Sequence, residues 1–301
     1  MINQNYHQPA FPELAVEGLN IRPDGIYVDA TVGSATHSIH ILNKLDSGRL
    51  FGFDQDEDVI ANIPDNKLFK FVHGNFRYMS NYLGFYCVEQ VDGIIADLGI
   101  SSHHLDVPER GFSYRFDSEL DMRMNTKADK NAARFINDAS EEKLTEIFRI
   151  YGELKDAHRL AKKIVSKRRN GSISTTFQLI DVISDCIPKV NENKYLSKVF
   201  QAIRIEVNDE IESLKELLNQ TANLIRKCGR LVIISYHSAE DRLVKNFIKS
   251  GNFGGTINKD FYGNVLAPFV QISRGAIIPS EGEILQNSRI RSARLRIAER
   301  K

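Results

Sequence analysis

Four short polar segments stand at the ends of apolar runs, and their residue types suit ligand chemistry. They are Asp29-Ala30-Thr31-Val32-Gly33-Ser34-Ala35-Thr36-His37-Ser38, the lone acid Asp54, His73-Gly74-Asn75-Phe76, and Asp97-Leu98-Gly99-Ile100-Ser101-Ser102. Small residues in the first let a backbone approach a ligand closely, and the start of a following helix attracts negative charge such as a carboxylate. Asp54 lies twenty-one residues beyond Gly33, the spacing at which an acid takes the two hydroxyls of an adenosine ribose. Phe76 offers an aromatic face to adenine, and Asp97 a carboxylate two residues before a glycine. A structural turn and a surface or capping aspartate fit the same residues.

These segments need a parallel sheet to bring them together. Ile26–Val32, Leu50–Phe53, Leu68–His73 and Val91–Ala96 read as buried strands from their β-branched and aromatic content and their Gly or Asp boundaries. Their spacing suggests βαβ units, and ligands of such sheets bind at the carboxyl ends of the strands. From about Val107 to Ile205 the rhythm stops. Ser140–Tyr151, Leu160 with Ile164 and Val165, and Phe177 with Leu179, Ile180 and Ile183 show helical spacing instead. A long helix over Asn208–Lys227 with Gly229 as its stop follows, then the strand-like Arg230–Tyr236. The reading is an α/β core over 1–106 and 207–301, interrupted by a helical insertion over 107–206.

The loop after the first strand has one glycine where G-x-G-x-x-G has three, which disfavours a pyrophosphate and with it a nicotinamide-dependent oxidoreductase. S-adenosyl-L-methionine carries no pyrophosphate and tolerates such a loop. Three scattered cysteines, Cys87, Cys186 and Cys228, make neither a disulfide framework nor a zinc site. With no apolar leader and no run long enough to cross a bilayer, the expectation is a cytoplasmic protein. Net charge is +1 over 301 residues, but cations cluster. Lys155–Arg169 holds seven Lys/Arg (155, 159, 162, 163, 167, 168, 169) against Asp156, and the stretch from Leu285 holds six (289, 291, 294, 296, 300, 301) against Glu299. Such clusters neutralise phosphates at one face or are merely a solvated helix and a frayed basic tail.

Longer motifs carry a resemblance. They are Tyr6-His7-Gln8-Pro9, Gly18-Leu19-Asn20-Ile21 with Tyr27-Val28-Asp29-Ala30-Thr31, Val91-Asp92-Gly93 through Ser102, and Glu109-Arg110-Gly111-Phe112-Ser113 with Leu120-Asp121-Met122-Arg123-Met124. Tyr151-Gly152-Glu153, Phe200-Gln201-Ala202-Ile203-Arg204-Ile205, Ile234-Ser235-Tyr236-His237-Ser238-Ala239-Glu240-Asp241-Arg242 and Arg291-Ser292-Ala293-Arg294-Leu295-Arg296 complete them. Together they resemble the bacterial 16S ribosomal RNA (cytosine-N4)-methyltransferases, the MraW/RsmH family. The resemblance implies a class I, Rossmann-like methyltransferase sheet with a helical substrate-recognition insertion. It implies S-adenosyl-L-methionine as cofactor and methylation of a cytidine N4 amine in the decoding region of 16S ribosomal RNA. Carried over by position, cofactor contacts fall at Ala35, Thr36, His37, Asp54, Phe76, Asp97 and His104, with Asp97 catalytic. Five of the seven coincide with the strand-end reading; His37 and His104 come from the resemblance alone. The partner implied is 16S ribosomal RNA within the small ribosomal subunit, and the oligomeric state, a homodimer included, stays open.

The chain departs from that pattern in its loop, usually G-G-G-G-H-S or G-R-G-G-H-S, where Gly33-Ser34-Ala35-Thr36-His37-Ser38 stands. A non-catalytic ribosomal RNA-binding relative with a weakened cofactor loop is therefore the alternative. No metal is expected: Glu240 and Asp241 beside His237 diverge on a helix, and Ser238 reads as that helix's cap. No G-x-S-x-G elbow points to hydrolysis. Phe112 and Tyr114 suit either core packing or stacking on an extruded base.

Overall fold

The computed structural model describes residues 9–301, so Tyr6, His7 and Gln8 of the first motif lie outside the described residues. The chain forms two compact units, one running to Gly99 and resuming at Ile211, the other spanning Ile100–Glu210. The sequence pattern alone puts the insertion at 107–206.

The first unit is built on seven strands: β1 Ile26–Asp29, β2 Arg49–Asp54, β3 Phe69–His73, β4 Val91–Asp97, β5 Ile225–Ser235, β6 Phe269–Gln271 and β7 Arg294–Arg300. Their order is β3-β2-β1-β4-β5-β7-β6. The first five are parallel, while β7 runs antiparallel to β5 and β6 antiparallel to β7. Strand order reverses between β1 and β4, which puts the ligand crevice at their carboxyl ends. Helices α1 (Pro12–Gly18), α2 (Thr36–Leu42) and α3 (Met79–Phe85) belong to this unit. In the second unit lie α4 (Ser102–Asp106), α5 (Ala132–Asp138), α6 (Glu141–Ile150), α7 (Ala157–Arg168), α8 (Thr176–Ile183) and α9 (Glu192–Val207). Then α10 (Glu210–Leu224), α11 (Ser238–Ser250) and α12 (Glu281–Gln286) follow.

Both sheet faces are covered, as a parallel sheet requires. Alternate residues of each strand enter different clusters. Phe51, Ile94 and Ile233 pack with Leu83, Leu217 and Phe247, while Leu50, Ile95 and Val232 pack with Val16, Leu19 and Ile41. Burying each such side chain contributes about 1.5–3 kcal/mol, and this two-sided burial holds the strand ends in place. The second unit has its own core, including Phe148, Leu160, Ile164, Leu179 and Ile203. Ser140 caps α6 by accepting from Lys143 N, and Thr175 and Gln178 form a capping box on α8.

Four expectations are corrected. The first strand stops at Asp29 rather than Val32, because Ala30 N turns to Ile95 O while Val32 N bonds Phe53 O. The helix read as 208–227 ends at Leu224, and Gly229 lies inside β5 rather than stopping a helix. A Cβ there would meet Asp92 O at 2.7 Å, so close backbone approach is what demands glycine. The helix after β5 is capped by His237, not Ser238. Glu240 reaches back to the Tyr236 and His237 amides, which sets the capping box one residue earlier. Finally, the basic C-terminus is no frayed tail. It is β7, paired along β5, because Leu295 and Ile297 bury one of its faces.

Candidate active site

Each candidate carboxylate closes a strand. Asp29, at the end of β1, accepts Ser38 Oγ at 2.7 Å and Thr31 N at 3.1 Å, which ties the strand to the helix after it. Burial pushes its carboxyl up to about 7. Between strand and helix the chain makes two left-handed residues, Gly33 at φ 49° and Ala35 at φ 61°. Glycine takes that conformation freely, whereas alanine costs about 1–2 kcal/mol there. Ala35 still adopts it, bonding Val32 O through its amide, and Thr36 opens α2. His37, one residue on, is buried; desolvation lowers it to about 4, so it is neutral at physiological pH. Its ring lies within hydrogen-bonding reach of the Ala10 backbone, and its Nε2 is sealed from solvent.

Asp54 ends β2 and meets that loop directly. Gly33 N donates to its Oδ2 and Asp56 N to its Oδ1, each at 3.0 Å. Each oxygen keeps a second lone pair for a ligand hydroxyl. Burial pushes Asp54 up to about 6 despite those two donors. Asn62 clamps Gly33 O from the 3₁₀ turn Glu57–Asn62. The end of β3 joins through Gly74 N, which donates to Asp54 O. Phe76 begins the next turn, half-buried. That turn is held by Gln220, which donates to Arg77 O, and by the two-pronged Arg77–Glu216 pair.

Asp97 ends β4, next to β1 in the sheet. Its amide donates to Thr31 Oγ1 at 2.7 Å, so the two strand ends are stitched together. The Tyr236 hydroxyl, just past the end of β5, interacts with its carboxyl, while Oδ1 is sealed from solvent without a partner. Burial first, then the charges of Asp29 and Glu240, push Asp97 up to about 8; Tyr236 works against them. Gly99 adopts φ 100°, and a Cβ there would come within 3.4 Å of the Tyr236 ring. The structure thus gathers Ala35, Thr36, His37, Asp54, Phe76 and Asp97 in the first unit. His104 belongs to the second unit, buried with its ring 4.6 Å from Phe112 and its Nδ1 3.1 Å from Ser101 Oγ. Phe112 is core there, and Tyr114 packs on Phe200.

Thr31 and Tyr236 stand inside the family motifs, yet their residue types alone assign them no place in the site. The usable signal for Tyr236 was position, since it directly follows the most strand-like run, whose carboxyl end borders that of β4.

Buried carboxylates with raised proton affinity and an unpartnered oxygen stabilise a cation or a polar hydrogen brought to them. A sequence profile of the MraW methylase family matches residues 4–301. The chain belongs to that family. The ribosomal RNA small subunit methyltransferases H of Bacteroides thetaiotaomicron and Cytophaga hutchinsonii are each 51% identical to it over 297 residues. The alignment covers 98% of this chain in both cases, and 98% and 99% of those relatives. The sheet is accordingly that of a class I methyltransferase, and the cofactor is S-adenosyl-L-methionine. The strand-end residues fit it: Asp54 would take ribose hydroxyls, and carboxylates whose proton affinity burial has raised would favour a positively charged sulfonium. Among the described residues no helix is long and apolar enough to cross a membrane.

Proposed function

We propose that this chain methylates the N4 amine of a cytidine in the decoding region of 16S ribosomal RNA, within the small ribosomal subunit. The names of its relatives support a small-subunit ribosomal RNA substrate. The observation that carries the choice of an amine is Asp97 Oδ1, a buried acceptor with no donor. An exocyclic amine is such a donor, and a poor nucleophile because its lone pair is delocalised into the ring. The bound cofactor supplies an activated methyl group on a cationic sulfur. The chain must therefore mainly align the amine and exclude water.

With the positive charge of the bound cofactor favouring its ionised form, Asp97 accepts a hydrogen bond from the amine through Oδ1, stabilises the charge that develops on nitrogen, and receives the proton it sheds. Asp54 takes the ribose hydroxyls, Phe76 stacks on adenine, and Ala35, Thr36 and His37 line the remainder. His104, which the resemblance adds to the cofactor contacts, belongs to the second unit, and the basic helix α7 of that unit holds RNA phosphates. The target base leaves its stack to be reached.

The test is transfer of a labelled methyl group to purified small ribosomal subunits, followed by nuclease digestion and mass spectrometry of the nucleosides. N4-methylcytidine is the expected product. Methylation of another atom would overturn the amine assignment. A protein that binds subunits but transfers no methyl group would be a non-catalytic relative.

A further inference from the structure

After α11 the chain runs into a hairpin, 257–266, whose tip carries two aromatic rings in open solvent. Phe261 is 97% and Tyr262 86% exposed, flanked by Ile257 and Leu266, also exposed. The tip is built rather than loose. Lys259 and Val265 bridge antiparallel, and Leu266 N donates to Asn258 O. Asp260 Oδ1 accepts from both Tyr262 N and Asn264 N, Oδ2 accepts from Asn264 Nδ2, and Gly263 takes φ 86° to close the turn. The two rings meet edge to face, centroids 5.6 Å apart. Folding alone gives no reason to fix two large apolar groups in water.

The charge along this stretch of the chain is one-sided. Between 243 and 275 the chain has Lys245, Lys249, Lys259 and Arg274 against Asp260 alone. Both oxygens of Asp260 are already occupied by the turn. Lys301 is tied to the hairpin through Val265 O. Lys245, Lys249 and Lys259 are exposed. Rigid aromatic faces among an excess of cations recognise unstacked bases on a phosphate backbone.

We propose that hairpin 257–266 is a single-stranded RNA contact, with Phe261 and Tyr262 stacking on bases and the neighbouring lysines holding phosphates. It rests on the reading of RNA as substrate and adds a recognition element outside both the cofactor site and the helical unit. Stacking is tolerant of base identity, so the hairpin supplies affinity and placement, and sequence choice lies elsewhere.

The experiment uses the full chain, a fluorescent single-stranded RNA of about ten nucleotides, and small ribosomal subunits. The double variant Phe261→Ala/Tyr262→Ala should bind both about tenfold or more weakly, with cofactor affinity unchanged. The ring-preserving swap Phe261→Tyr/Tyr262→Phe should bind as the parent does. Unchanged RNA affinity in the alanine variant overturns the proposal. So does a variant that instead loses self-association in ultracentrifugation, or binding to anionic vesicles, while keeping RNA affinity. These outcomes are separable from the fate of the methyltransferase reading. A parent chain that binds RNA but transfers no methyl group sinks that reading and leaves the hairpin to be judged by its variants. One that binds no RNA sinks both.

Discussion

Two aspartates of the first unit are withdrawn from water in opposite ways. Asp241, on α11, receives Arg296 through two nitrogens, at 2.7 and 3.0 Å, with Arg294 at 3.8 Å. Asp97, at the end of β4, meets the Tyr236 hydroxyl but, among the described residues, no cation, and its Oδ1 has no donor. A buried charge is tolerable when paired and hydrogen-bonded, and costly when not. Asp241 therefore reads as architecture, fastening α11 to β7. Asp97 escapes that cost by keeping its proton up to about pH 8, and a proton affinity raised in this way is characteristic of a functional site.

The comparison makes its strongest demand on Asp241. Asp241→Ala leaves Arg296, itself 5% exposed, as an uncompensated buried cation and should destabilise the fold by about 3–5 kcal/mol. The denaturant midpoint reports it. Arg296→Leu introduced alongside should recover much of the loss, since two apolar groups replace a pair better than half a pair does. A loss under about 1 kcal/mol in the single variant would erase the contrast between the two aspartates.

Asp97→Asn should behave in reverse. Turnover should fall roughly a hundredfold, the scale of one preorganised electrostatic contact, while cofactor affinity falls much less and folding is intact. Protonation supplies a second readout. The folded carboxyl titrates at about 8, far above an unfolded aspartate near 4, so the folded state binds the extra proton between those values. The stability associated with that proton is complete below about pH 4 and is lost as pH rises through about 8. Asp97→Asn removes that slope, so its denaturant midpoint should gain on the parent's as pH rises from about 5 to 8. A variant with parallel pH dependence and near-normal single-turnover rate would make Asp97 a structural cap.

Asp54→Ala should weaken cofactor binding by about 2 kcal/mol, the scale of hydrogen bonds to a charged group, as measured by calorimetric titration. Because Asp54 also receives Gly33 N and Asp56 N, Asp54→Asn is the sharper variant. It keeps an acceptor oxygen for the loop yet loses charge, so an affinity between those of parent and alanine variant is expected. Equal affinity in all three would take Asp54 out of the site.

How much of this was legible depended on whether a residue's neighbours are local in sequence. The strands, the strand-end acids and the helical character of the middle segment are local patterns of period and punctuation. The roles of Thr31 and Tyr236 depend on which strands adjoin, which periodicity does not state. The two basic stretches were indistinguishable by charge count. Yet 157–168 became a helix with an apolar stripe, and 294–300 a strand whose Arg296 is buried. Alternation of Leu295, Arg296 and Ile297 was the available signal, and a count of charges passes over it.

The smallest expected effect lies on α7. Here too the structure separates cations that a count merges. Arg168 donates to Ile136 O, Arg159 to Asp185 O, and Lys163 pairs with Asp185, so these three fasten the helix to its neighbours. Reversing them would confuse folding with recognition. Lys162 and Arg169 are exposed, and Lys162→Glu/Arg169→Glu should shift stability by no more than about 0.5 kcal/mol. Binding to small ribosomal subunits should weaken severalfold at about 0.1 M salt. The slope of log affinity against log salt should flatten by about 0.7–0.9 for each phosphate that the variant no longer neutralises. Cofactor affinity should not change, because the candidate cofactor residues apart from His104 lie in the other unit. An unchanged slope would make these cations a solvated helix face and return the task of holding phosphates to some other surface. Equal loss of RNA and cofactor binding would mean that the two tasks are not divided between the units at all.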